Sequence, residues 1–291
     1  MKKSFLQYLA ALLLFGSNGI VASRIALSSY EIVLLRSGIG CVVLAVLFVL
    51  GRRRFTCLQH RRELADIALS GAAIGASWMC LYEGYVRIGV SMASLLYYCG
   101  PVIVMALSPL LFHERLTWPK LAGFAAVFAG VLLINGSVRG SAMNVGGLLC
   151  GAAGAVLFAV MVTANKRAEH ITGMENALLQ MLFGFLTVAV FAGIRNPGFA
   201  LTIRPGDWIW IAVLGVVNTG IGCYGYFSAM NRLPVQTVAV CGYLEPLSAV
   251  VFAAVLLHET MQPLQILGAA LILGGAAGAE CAPMLRRHRR C

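Results

Sequence analysis

Glu245 stands inside the apolar run 234–257, near its middle. If that run crosses a bilayer, the carboxyl group sits near mid-depth, where inserting a charge costs roughly 2.5–3.5 kcal/mol. Such a group must face a cavity or a partner. A carboxyl that gains and loses its charge there is a candidate proton carrier, and equally a candidate ligand for a substrate ammonium. The alternative is a structural carboxylate satisfied by neighbouring hydroxyls or by Arg36. Arg36 lies in the outer third of the run 30–50. It could snorkel outward, pair with Glu31 or attract a substrate carboxylate.

Polar amides and rings occur at matching depth. Asn18 and Asn218, flanked by Ser17 and Thr219, fall near the middle of two apolar runs, where an amide has to hydrogen-bond something. Interhelical contact and substrate contact both satisfy that need. Trp78 and Tyr82 are four residues apart and share one helix face. Tyr97, Tyr98, Phe158 and Tyr243 complete the set. Their rings suit an apolar body or a cation, with hydroxyls to orient it; interior packing or lipid contact is the alternative for each, and the interfacial belt for Tyr82. Pro101 and Pro246 are expected mid-helix, where each removes a backbone hydrogen bond. The kinks are candidate hinges or static packing features. Glu83 reads as interfacial and Gln180 as structural. Glu114 and Glu259 read as complements to the helix N-termini that follow them.

The elements that position these residues follow from composition. Of 291 residues, 60% are hydrophobic and 11% charged, against about 25% charged in a soluble domain. So few charges cannot build a water-facing surface, and the bilayer is the solvent that fits. Disordered and disulfide-scaffold classes are excluded by the same figures. Nine Cys lack CxxC spacing and most lie in apolar runs, which reads as packing. No metal-ligand spacing, nucleophile elbow or phosphate loop is present, so neither cofactor nor enzyme is expected. Met1-Lys2-Lys3 before Leu9–Phe15 imitates a secretory signal; the segment is expected to stay as a permanent helix.

Runs of about 20 apolar residues mark ten spans: 5–24, 30–50, 64–86, 90–112, 118–135, 146–164, 174–194, 208–230, 234–257 and 263–281. With a cytoplasmic N-terminus, 16 of the 22 Lys and Arg fall inside and 5 outside, Arg36 lying within a span. That is a strong positive-inside bias. It explains the net charge of +11 without nucleic acid. Arg286-Arg287-His288-Arg289-Arg290 reads as an anchor at anionic lipid.

The two halves repeat. Shifted by 145 residues, Arg87, Tyr98 and Pro101 meet Arg232, Tyr243 and Pro246. His113 and Glu114 meet His258 and Glu259, and Gly123 and Gly130 meet Gly268 and Gly275. Glu31 meets Glu175 at a shift of 144. Glu245 meets Gly100, so this acid breaks the symmetry. Five spans per half is an odd number, so the halves cross in opposite senses, the inverted-repeat architecture of many secondary transporters. The fold expected is an all-α integral membrane protein of ten transmembrane helices, with repeats at 1–138 and 139–291.

Phe15-Gly16-Ser17-Asn18, Glu31…Leu35-Arg36, Tyr243-Leu244-Glu245-Pro246 and the two His-Glu span ends resemble the drug/metabolite transporter superfamily, in particular its bacterial EamA branch. The resemblance implies an inner-membrane carrier with a central cavity that exports amino acids, related metabolites or drugs. The expected function is export of small metabolites, amino acids foremost, by alternating access as uniport or proton antiport. The rivals are an organic-cation exporter, a membrane-embedded enzyme and a non-transporting scaffold. The expected partners are a small-molecule substrate, the bilayer and, for antiport, protons. The chain is expected to be a monomer or weak homo-oligomer. The parity of the spans makes a direct prediction: reporter fusions at the two ends should both read out in the cytoplasm, and ends on opposite sides would refute the antiparallel halves.

Overall fold

The computed structural model describes residues 2–88, 93, 96–113, 117–135, 144–195, 202–256 and, in the last helix, 263–264, 266–268, 270–272 and 274–275. Glu114, Glu259 and the basic tail lie outside the described residues. No strand occurs among the described residues. The helices are α1 (Lys2–Gly16), α2 (Asn18–Ala22), α3 (Ser29–Leu50), α4 (Arg61–Ile88), α5 (Gly100–Phe112), α6 (Trp118–Asn135), α7 (Val145–Arg167) and α8 (Gly173–Arg195). A 3₁₀ turn at Pro205–Asp207 leads into α9 (Trp208–Ala212), a π-helical stretch Val213–Ile221, and α10 (Gly222–Met230). They are followed by α11 (Val235–Gly242), α12 (Leu244–Leu256) and the last helix, α13, between 263 and 275.

Among the described residues, six helical stretches are long and apolar enough to cross a membrane: Lys3–Ala22, Tyr30–Leu50, Arg61–Gly84, Val145–Arg167, Gly173–Ile194 and Pro205–Met230. Side chains are distributed as lipid demands. Val42, Val49, Leu50, Leu110, Ile194 and Trp118 point outward. Ser37, Ser70, Ser77, Asn176, Gln180 and Thr219 are fully buried inside. Several of their hydroxyls bond across helices: Ser70 Oγ donates to the Met161 carbonyl at 2.7 Å and Ser77 Oγ to that of Gly154 at 2.9 Å. Two helix starts carry side-chain caps. Ser28 and Glu31 form a capping box on α3, and Asn144 Oδ1 accepts from Gly147 N on α7 at 3.1 Å.

The halves interlock rather than sit side by side. α4 packs on α7 and α8, α3 on α8 and the π stretch, and α1 on α10 and α12. The closest approaches repeat at the sequence offset. A Cβ on Gly75 would stand 2.5 Å from the Gly184 carbonyl, and one on Gly40 would stand 2.8 Å from Thr219 Cγ2; 144 residues carry Gly75 to Thr219 and Gly40 to Gly184. Likewise a Cβ on Gly130 would stand 2.5 Å from the Gly268 carbonyl, and one on Gly275 would stand 2.5 Å from that of Gly123; 145 residues relate these two pairs. Loop ties repeat too. Glu63 accepts from His170 N at 2.8 Å, and Asp207 accepts from Ala26 N at 2.9 Å, and the two ties are again 144 residues apart.

Three of the expected spans are broken into shorter helices. α1 and α2 are separated at Ser17, α11 and α12 at Tyr243, and the chain turns at Tyr98 and Cys99 before α5. Pro101 and Pro246 therefore stand in the first turn of α5 and α12, not in helix interiors. Proline tolerates that position because its missing N–H would have had no partner there. Backbone approach without a Cβ sets the spacing of α4 and α8. Gly75→Ala should therefore destabilise the detergent-purified protein by about 1–3 kcal/mol. Gly193→Ala, on α8 but with nothing within 4 Å, should leave the thermal unfolding midpoint unchanged or slightly raised.

Candidate functional site

α1 stops at Gly16, whose backbone lies against Ser248 of α12. The chain turns at Ser17 and resumes at Asn18. The open end of α1 is satisfied from the second half. Asn218 Nδ2 is shared among the Leu14 carbonyl at 3.2 Å, Ser17 Oγ at 2.8 Å and Asn18 Oδ1 at 3.0 Å. Asn18 and Asn218, expected at equal depth, are thus brought into direct contact. The π stretch aims Asn218 there: Thr219 Oγ1 donates to the Leu214 carbonyl five residues back at 2.7 Å, which holds the widened turn open. Such π segments recur at functional sites.

Thr219 Oγ1 also accepts from Arg36 Nε at 3.1 Å. The Arg36 guanidinium lies 5.1 Å from the Trp78 ring centroid. Arg36 is 7% exposed, so it does not snorkel outward. Its other suggested partner, Glu31, is engaged by Ser28 N at 2.7 Å and Ser28 Oγ at 2.6 Å. The cation instead lies within electrostatic reach of Glu245. The ion pairs within 4 Å among the described residues are Glu83–Arg87 and those of Glu63 with His60 and His170, so Arg36 and Glu245 share a region without touching. Glu245 is partly accessible, and Tyr8 and Tyr226 both lie within its field. These two tyrosines have rings 5.1 Å apart, and Tyr8 O–H donates to the Val238 carbonyl at 3.1 Å. Neither was singled out from the sequence: Tyr8 sits near the chain start, and nothing in its spacing links it to residue 226.

The remaining rings form a chain. Phe158 meets Tyr97 at 5.7 Å, Tyr97 meets Tyr98 at 6.1 Å, and Tyr98 meets Tyr243 at 6.5 Å. Tyr243 O–H donates to the Tyr98 carbonyl at 2.7 Å. Repeat-equivalent residues thus touch each other, and the turn before α5 receives the donor it needs. Phe158 also explains the broken symmetry at Gly100: a Cβ there would stand 2.8 Å from its ring, so no acid fits opposite Glu245. Trp78 and Tyr82 pack in one cluster with Tyr30, Val33 and Met79. Glu83 pairs with Arg87 at 2.7 Å near the end of α4. Gln180 Nε2 donates to Ser70 Oγ at 2.8 Å. An apolar groove of about 560 Å³ between α3 and α8, lined by Leu34, Gly38, Phe185 and Ala189, includes none of the central polar residues.

Asn218 serves three acceptors and Asn18 accepts from a single donor. Asn218→Ala should therefore lower the unfolding midpoint more than Asn18→Ala, by about 1–3 kcal/mol for the orphaned groups, measured by thermal denaturation in detergent.

Comparison with known proteins places this geometry. The model of the EamA-like transporter family matches twice, over residues 2–136 and 145–279. A probable terminal-alkyne amino-acid exporter of Streptantibioticus cattleyicolor is 31% identical over 89% of this chain and 87% of its own length. The threonine/homoserine exporter of Escherichia coli is 25% identical over 91% and 82%, and an uncharacterized transporter of Bacillus subtilis 23% over 92% and 86%. A solved crystal structure, 22% identical, shares the fold at a TM-score of 0.82 over 100% of both chains. The chain, two EamA repeats of apolar helices across a membrane, belongs to the EamA-like transporter family and is a transporter of small molecules rather than an enzyme.

Proposed function

We propose that this chain exports small zwitterionic metabolites, amino acids foremost, from the bacterial cytoplasm across the inner membrane by alternating access. The observation that carries the reading is the separated pair Arg36 and Glu245, one charge of each sign in one polar region. A substrate carboxylate matches the guanidinium and a substrate ammonium the carboxylate. An organic cation would match Glu245 alone and leave Arg36 opposing it, which favours the amino acid over that rival. Trp78, Tyr97, Tyr98, Tyr243 and Phe158 would hold the side chain, and Asn18 and Asn218 would orient it. Amino-acid export by two named relatives agrees with this choice.

Ten spans in two antiparallel repeats, divided near residue 138, with both ends cytoplasmic, complete the proposal. Its support is the recurrence of close approaches at offsets of 144 and 145, together with the direct contact of Tyr98 with Tyr243. A two-fold axis in the membrane plane makes the inward-open and outward-open states near-equivalent. The turns before Pro101 and Pro246 would be the hinges. In proteoliposomes the purified protein should show saturable amino-acid counterflow. Arg36→Gln and Glu245→Gln should each reduce it at least about tenfold, a loss of about 1.4 kcal/mol. Uptake of a lipophilic cation that survives Arg36→Gln, with no amino-acid flux in the wild type, would select the cation exporter. Flux driven by a pH gradient that survives Glu245→Gln would remove Glu245 as the proton carrier.

A further inference from the structure

We propose that His60, Glu63 and His170 form a binding site for a divalent transition ion of the zinc class, clamping the start of α4 to the segment between α7 and α8. The site rests on its own geometry and not on the transport reading. One donor atom from each residue lies within 4.8 Å of the other two. Glu63 Oε1 is 2.5 Å from His170 Nδ1 and 3.9 Å from His60 Nδ1. Around a tetrahedral zinc with bonds of about 2.0–2.2 Å, neighbouring donors stand about 3.3–3.6 Å apart. Shifts of about 1 Å or less would bring both pairs to that spacing.

Two further features prepare the site. The imidazole rings lie parallel, 4.3 Å apart at 7°, with both Nδ1 atoms facing one carboxylate oxygen. The other oxygen, Glu63 Oε2, is pinned by His170 N at 2.8 Å and Ile171 N at 3.3 Å, an outer support of the kind that orients metal ligands. Two nitrogens and one oxygen suit a borderline ion and leave a fourth position for water. The side chains of His60 and His170 are 34% and 61% exposed, so an ion can reach them. Cys57 nearby is buried and is not one of the three converging donors.

The acid-to-amide tie does not itself need the imidazoles. At the equivalent tie 144 residues away, Asp207 stands in place of Glu63 and grips the backbone N–H of Ala26. Ala26 takes the place of His170, and Arg204 that of His60. The same acid-to-amide contact forms there with neither ring, so the histidines do something the tie does not require. The linear chain shows no ligand spacing because the third donor comes from 107 residues away.

The test uses the full chain in detergent, purified without a polyhistidine tag and titrated with Co²⁺ and then Zn²⁺. The wild type should bind one equivalent of Co²⁺ with visible bands of a four-coordinate site and no thiolate charge-transfer band. Zn²⁺ should displace it and raise the unfolding temperature. His60→Gln and His170→Gln should each weaken binding at least about tenfold. His60→Gln leaves every hydrogen bond of Glu63 to the 170–171 backbone in place, so its metal-free unfolding should match the wild type. No stoichiometric binding, binding unchanged in both variants, or a thiolate band would each overturn the assignment.

Discussion

Hydrocarbon offers no hydrogen bonds, and the structure follows from that constraint. Every polar group carried into the bundle has to find its partner within the chain, and at the helix breaks and the central crossings the partners come from the other half. The broken end of α1 is met by Asn218, the turn before α5 by Tyr243, and the hydroxyls of α4 by carbonyls of α7. Removing one half would leave polar groups of the other facing lipid. The two repeats thus supply partners to each other's polar groups.

Small residues make that exchange possible. At Gly75 and Gly184, and again at Gly130 and Gly268, a carbonyl of one helix rests on the bare backbone of the next. The helices come close enough there for short side chains such as serine to reach across. The same approaches recur at the repeat offset, so a single packing solution serves twice. The duplicated packing is also what the proposed alternating cycle would use, since two related arrangements serve its two states. Symmetry is then broken locally. Phe158 fills the place opposite Glu245, and a buried cation at Arg36 rests on Trp78 and Thr219. The centre of the bundle is thereby polarised, whereas its packing remains paired.

Much of this was legible in the linear chain. Composition named the solvent, apolar runs marked the helices, and the offset of 145 named Tyr98 and Tyr243 as equivalents. Asn18, Asn218 and Glu245 stood out because a polar group in an apolar run always demands a partner. The identity of the partner was not legible. Arg36 could be drawn toward Glu31 or outward, and instead it turns inward to Thr219, because Ser28 had already taken Glu31. The helix breaks at Ser17 and Tyr243 were hidden as well. A break leaves backbone groups open, and at Ser17 and before α5 a side chain some 145 to 200 residues away helps to close each.

Local chemistry thus determined what kind of protein this is: apolar segments of span length, a basic bias between them and a repeat of motifs all act within one segment or one offset. Tertiary structure decided which groups meet. Tyr8 joined Tyr226, His170 joined His60 and Glu63, and a π turn carried Asn218 into the gap in α1. Those meetings depend on how helices rotate about their axes, and rotation is set by the sum of many interhelical contacts that no single segment encodes.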